Sequence, residues 1–132
     1  MDRVTMYIGD EYFVRNKDDR SFKDFACKCT HKSCRMLLLN KKAVQKFTFF
    51  TEKLRQLGIE IKITSAHRCW LHNKNVGGAK DSKHIRGKAF DVTPAYKNFT
   101  PYTLTTILQV AREYFSYCYH NEQKGFVHMD DR

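Results

Sequence analysis

The sequence contains no apolar run of roughly 18 residues, the length that a transmembrane helix requires. Residues 1–20 also lack an apolar stretch behind a basic start, so we expect no secretory signal and synthesis in the cytoplasm. Repeats, low-complexity tracts and domain linkers are absent as well. With 132 residues and 42% hydrophobic content, the chain can build one core. We therefore expect a single domain over residues 1–132, in which residues 1–26 could be an irregular extension.

Acidic residues are scarce. The 14 Asp and Glu residues stand against 24 Lys and Arg, which gives a formal net charge of +10. Such an excess favours anionic partners such as nucleic acid or cell-wall polymer. The positive charges are scattered, however, and no arginine-rich block or basic-aromatic alternation of the kind that reads bases is present. A solvated basic surface explains them equally well, so no specific nucleic-acid partner is expected.

Regular apolar spacing predicts the main helices and strands. A helix is expected from a capping Asn40 to Gly58, and another begins at Thr100 and Pro101. Strict alternation predicts a strand at 59–63, and three more strands are expected near residues 89–92, 116–119 and 126–130. Residues 65–88 are predicted to form a long loop, which inside a small domain is often functional. The fold class is therefore α+β, with helices packed against a small antiparallel sheet.

The segment SKHIRGKAFD at residues 82–91 places a histidine near the end of this loop and an aspartate in the next strand. Ala89 lies two residues before Asp91, so both side chains point to one face of the sheet. The small alanine leaves room there for a metal ion. Because imidazole nitrogen and carboxylate oxygen are good zinc ligands, His84 and Asp91 are candidate metal ligands.

The segment GFVHMD at residues 125–130 supplies a third candidate, His128. In an extended strand His128 shares a face with Asp130, while Val127 and Met129 face the core. Two histidines and one carboxylate leave one coordination position of zinc open for water, as catalytic zinc sites require.

These pieces occur together in a known family. The pattern S-x-H-x-x-G-x-A-x-D at residues 82–91, followed by FVHMD at 126–130, resembles the zinc D-alanyl-D-alanine carboxypeptidase and murein endopeptidase family. The segments TSAHRC at 64–69 and HNKNVGGA at 72–79 resemble the same family. The similarity covers about residues 25–132. The hedgehog signalling domain shares the metal fold but is longer and differently bordered, so it is a poorer match.

The resemblance implies a zinc-dependent hydrolase with one catalytic zinc on the sheet. Its zinc ligands would be His84, Asp91 and His128. Arg68 would pair with a carbonyl or terminal carboxylate of the substrate, because the guanidinium fork binds carboxylate in bidentate fashion. Ser82 would hydrogen-bond the substrate or brace the ligand loop. A structural salt bridge at Arg68 and a simple loop cap at Ser82 are the alternatives.

The resemblance also implies a substrate, the peptide part of bacterial peptidoglycan. A small wall-cutting enzyme without a secretory signal resembles a phage lysin, which acts at the wall after release. We expect a monomer. The alternative function is a non-catalytic zinc-fold module that binds the cell wall or another partner.

The general base is where the sequence departs from its relatives. Several of them place Glu, Asp or His two or three residues before the last ligand, where this chain has Phe126 and Gly125. Asp130 is the favoured substitute and His120 the second. Asp130 could instead orient a ligand histidine without touching the substrate.

The cysteines pose a separate question, since five of them cannot all pair within one chain. Cys27, Cys29, His31 and Cys34 could bind a structural zinc, with Cys69 as a substitute for His31. Their spacing is irregular for a zinc finger, so this second zinc is the weaker alternative. The other two interpretations of the cysteines are a Cys–Cys pair, for instance one that involves Cys69, and plain reduced thiols.

Overall fold

A computed structural model describes residues 12–16, 24–29, 34, 36–79, 82–95 and 100–132. Along this part of the chain the elements are β1 Tyr12–Asn16, β2 Met36–Asn40, α1 Lys41–Gln56, β3 Ile61–Ser65, α2 Trp70–Asn75, β4 Ala89–Pro94, α3 Pro101–Tyr114, β5 Tyr117–Asn121 and β6 Phe126–Asp130. The α+β class is confirmed. Each described helix is too short or too polar to cross a membrane.

Helix α1 forms as its sequence predicts. The Asn40 side chain accepts a hydrogen bond from the Ala43 backbone N–H at 2.9 Å, which satisfies a donor that the first helical turn leaves unpaired. Helical spacing then buries one face of α1 in the core, at Ala43, Phe47, Phe50 and Leu54. Gly58 follows with a φ of 76°, a backbone conformation that favours glycine.

Strands β3, β4, β6 and β5 form, in that order, an antiparallel sheet. One face of the sheet packs against α1 and α3, and it buries alternate residues of β4 and β6: Phe90, Val92, Val127 and Met129. The Phe47 and Phe90 rings stack at 4.3 Å across this core. Because side chains alternate along a strand, the intervening residues of β4 and β6 line the opposite face, where the candidate site lies.

Three elements differ from the sequence expectation. Residues 70–75 form the short helix α2 inside the segment predicted to be a loop. Strands β1 and β2 pair as a two-stranded antiparallel ribbon, so part of the segment expected to be irregular is a strand. Sequence alternation does not find this ribbon because the β2 residues, Met36–Asn40, are a nearly continuous apolar run.

Candidate metal centre and active site

The three ligand candidates converge although 44 positions separate the first from the last. One potential ligand atom from each of His84, Asp91 and His128 lies within 4.8 Å of the others. Asp91 and His128 are direct cross-strand partners on β4 and β6, and His84 precedes β4 in a tight turn. The sheet register thus delivers two ligands and the preceding turn delivers the third.

Gly87 allows the His84 turn to close against strand β2. Its φ is 67°, and a Cβ atom at this position would collide with the backbone of Leu38 and Leu39. Its carbonyl accepts a hydrogen bond from the Asn40 N–H at 3.0 Å. A glycine is therefore required both by conformation and by the close approach.

His84 is held in one orientation by its backbone surroundings. Its Nδ1 lies 2.6 Å from the Ala66 carbonyl oxygen and donates to it, so Nε2 carries the free lone pair. Nε2 is buried, has no hydrogen-bond partner among the described residues and lies 3.2 Å from Asp91 Oδ2. A buried acceptor without a donor is costly, and a metal ion at this point would remove that cost.

His128 is fixed at both ring nitrogens. Nδ1 lies 2.7 Å from Asp91 Oδ1, and Nε2 lies 2.6 Å from Asp130 Oδ2. In the protonated ring both nitrogens donate, Nδ1 to Asp91 and Nε2 to Asp130. Loss of the Nδ1 proton, with the Nε2 proton kept by Asp130, leaves a lone pair directed towards the shared centre. Nδ1 is thus the nitrogen that could bind a metal.

Electrostatics favour a cation between these groups. Burial disfavours the ionised form of Asp91, but the hydrogen bond from the protonated His128 ring and the close approach of His84 outweigh this effect and lower the pKa of its carboxyl to about 2. Burial also opposes the charged form of His128, yet the hydrogen bond and charge of Asp91, with those of Asp130, raise the pKa of its imidazole. Two nitrogens and one carboxylate oxygen, with the small Ala89 on the same sheet face, fit a zinc ion with an open position.

Asp130 lies on the side of the His128 ring away from Asp91. Its carboxylate is fully buried and receives His128 Nε2 together with Arg132 Nε at 3.0 Å and Nη2 at 3.3 Å. Both oxygens are thus engaged, in the arrangement of a carboxylate that orients a metal-binding histidine. This geometry favours the interpretation that Asp130 orients His128 over the interpretation that Asp130 is the general base.

His120 is not brought to the site. It pairs with Val127 across β5 and β6, and directly opposed residues share a face, so its side chain lies on the core side of the sheet. His128 lies on the other side. His120 and His128 are close together in the sequence. Only the register of β5 and β6 shows that their side chains lie on opposite faces of the sheet.

Arg68 lies beside the ligand cluster on the connection from β3 to α2. Its N–H donates to the His84 carbonyl at 3.1 Å, and its Nη1 donates to Asn73 Oδ1 at 3.1 Å. Burial lowers the pKa of its guanidinium, and the negative charge of Asp91 acts in the opposite direction. Its Nε is buried and has no partner among the described residues. Arg68 therefore lies beside the ligand cluster with one hydrogen-bond donor unused by the described residues.

Ser82 braces the ligand turn, because its Oγ accepts a hydrogen bond from the His84 N–H at 3.2 Å. Sequence reasoning missed Tyr119, whose ring stacks on His128 at 4.9 Å and 23° between planes. Tyr119 is 41% exposed and is the cross-strand partner of His128. It therefore covers one side of the candidate ligand while remaining open to solvent.

The profile of the Peptidase M15 family matches residues 20–130. The chain belongs to the peptidase M15 family. Members of this family are zinc-dependent peptidases of the D-Ala-D-Ala carboxypeptidase kind, so the chain is a zinc peptidase of the kind expected from its motifs. No curated protein sequence matches it.

Proposed function

We propose that this M15 peptidase hydrolyses peptide bonds of bacterial peptidoglycan at a zinc ion bound by His84, Asp91 and His128. The observation that supports the ligand assignment is the convergence of His84 Nε2, His128 Nδ1 and the Asp91 carboxylate, with each histidine oriented by its other ring nitrogen. A bound zinc ion supplies a Lewis acid that polarises a carbonyl and lowers the pKa of water.

The chain's own residues hold this centre rigid. The Ala66 carbonyl fixes one ring and Asp130 fixes the other, so little reorganisation is needed when the metal binds. Arg132 in turn neutralises Asp130 through two N–H groups. We assign Asp130 to orientation of His128.

Arg68 is the proposed substrate-binding residue. It lies close enough to Asp91 for the two charges to interact, and its buried Nε has no described hydrogen-bond partner. A guanidinium at this place suits the carbonyl or terminal carboxylate of a wall peptide. The net charge of +10 favours approach to an anionic wall.

The biological setting is a proposal of the same kind. A monomeric enzyme made in the cytoplasm and acting at the cell wall after release fits a phage lysin. The test of this proposal needs only the purified chain and its polymer substrate.

Purified peptidoglycan incubated with the zinc-loaded protein should release peptide fragments, and a chelator should stop the release. Mass analysis of the fragment ends identifies the cleaved bond, and thus separates carboxypeptidase from endopeptidase action. His84→Ala should be inactive because it removes one ligand. If the wild-type protein binds zinc and adsorbs to the wall without releasing peptide, the chain is the non-catalytic binding module and the peptidase proposal fails.

A further inference from the structure

Four of the five cysteines form a second cluster, apart from the three candidate zinc ligands. The Sγ atoms of Cys27, Cys29, Cys34 and Cys69 all lie within 4.8 Å of one another. The first three come from the segment before β2, and Cys69 caps the start of α2. At least 35 positions of chain therefore separate Cys69 from the others, and only the fold brings it close to them.

The sulfur spacing is that of a metal site. Cys29 Sγ and Cys69 Sγ are 3.7 Å apart. Four thiolates arranged tetrahedrally around zinc at about 2.3 Å have sulfur atoms about 3.8 Å apart. A disulfide requires about 2.05 Å, so this geometry differs from that of a bonded pair.

Backbone donors are directed at the sulfur atoms. The Cys69 N–H donates to Cys27 Sγ at 3.3 Å, and the His72 N–H donates to Cys69 Sγ at 3.4 Å. Such donors stabilise the thiolate, which is the form that binds metal. Cys27 is buried and the other three are half-buried, so four protein sulfurs can enclose an ion and leave no coordination position open.

We propose that Cys27, Cys29, Cys34 and Cys69 bind a structural zinc ion, distinct from the catalytic one. Sulfur-only tetrahedral sites select zinc or iron, and closed sites with four protein ligands stabilise the fold without taking part in chemistry. Cys69 supplies the fourth ligand. His31, the other sequence candidate for that place, lies outside the described residues.

This zinc fastens the segment around Cys27 to the connection that carries Arg68. Cys69 follows Arg68 directly, and the neighbouring His67 N–H donates to the Phe25 carbonyl at 3.0 Å. Ala66, in the same connection, accepts the hydrogen bond that orients His84. One metal therefore stabilises the stretch of backbone that holds both the proposed substrate residue and a ligand histidine.

The number of zinc ions bound per chain tests the proposal directly. Protein prepared in reducing buffer with excess zinc and then desalted should contain two zinc ions per chain. His84→Ala should retain one, and the double variant Cys29→Ser/Cys34→Ser should also retain one. Cys118→Ser is the matched control and should retain two, because Cys118 lies on β5 outside the cluster.

Cobalt substitution in the wild-type chain gives an answer that does not depend on whether a variant folds. Cobalt at four thiolates produces an intense sulfur-to-metal charge-transfer absorption, which His84→Ala should keep. Zinc content that is the same in the wild type and in Cys29→Ser/Cys34→Ser, or cobalt loading without this absorption, would overturn the proposal. Iron at the cysteines would overturn the assignment of zinc. None of these readouts requires peptidase activity, so failure of the proposed function would leave them unaffected.

Discussion

At the residue scale, the informative case is Asp130, because one carboxylate near a zinc centre can serve two different purposes. As a base it would face the substrate. As an orienting group it would bind the far nitrogen of a ligand histidine. The 2.6 Å contact with His128 Nε2 and the two bonds from Arg132 describe the second arrangement.

Asp130→Asn should therefore weaken zinc binding by about 10–100-fold, the usual effect of losing a carboxylate partner of a ligand histidine. Competition with a metal-binding dye measures the affinity, and activity at saturating zinc should largely return. His120→Asn should leave both quantities unchanged, because His120 faces the core side of the sheet. Zinc affinity equal to wild type, combined with lost hydrolysis, would instead identify Asp130 as the base.

At the scale of elements, the connection between β3 and α2 joins the two candidate metal sites. Residues 66–69 orient His84, carry Arg68 and supply Cys69. Gly78 allows α2 to stay close to this connection, because a Cβ there would meet the Asn73 side chain and Arg68 Nη1. The geometry of the candidate metal centre thus depends on a short irregular segment that is held by hydrogen bonds at several points.

The turn that carries His84 offers a second test at this scale. Gly87→Ala should lower both the free energy of unfolding and the zinc affinity, because the added Cβ meets the β2 backbone. Gly58→Ala is the matched control, since Gly58 also has a positive φ but nothing lies within 4 Å of the added atom. The control should cost only the backbone strain, about 1–2 kcal/mol.

Urea unfolding monitored by circular dichroism compares the two variants. Gly87→Ala should lose more stability than Gly58→Ala, and it alone should lose zinc affinity. Equal losses of stability and of zinc affinity in the two variants would show that the close contact between Gly87 and β2 does not shape the site.

At the scale of the whole molecule, the chain is small for two metal sites, and both should contribute to its stability. A ligand that binds only the folded state at a hundredfold excess over its dissociation constant adds about 2.7 kcal/mol. For a domain of this size that corresponds to a rise in melting temperature of roughly 10 °C per site.

Thermal unfolding with and without zinc should therefore show roughly twice the stabilisation in the wild type that it shows in Cys29→Ser/Cys34→Ser. Cys118→Ser should behave as the wild type does. The same zinc-induced shift in the wild type and the double variant would contradict a stabilising metal at the cysteines.

Much of this molecule could be read from local sequence. Asn40, Gly58, Thr100 and Pro101 mark helix ends by capping chemistry that involves only neighbouring residues, and each end lies where it was predicted. The confirmed family followed from the motifs at residues 82–91 and 126–130. The helix ends depend on contacts within a few residues and the family on the identities of the motif residues, so sequence alone determines both.

Tertiary structure decided the rest. Strand register alone places His120 on the core face and stacks Tyr119 on His128. The hydrogen bonds of Asp130 with a ring nitrogen and an arginine favour its orienting role. Cys69 joins cysteines far away in the chain only because the β3–α2 connection packs against the segment around Cys27. Strand register and long-range packing are properties of the folded chain, and no local pattern of residues encodes them.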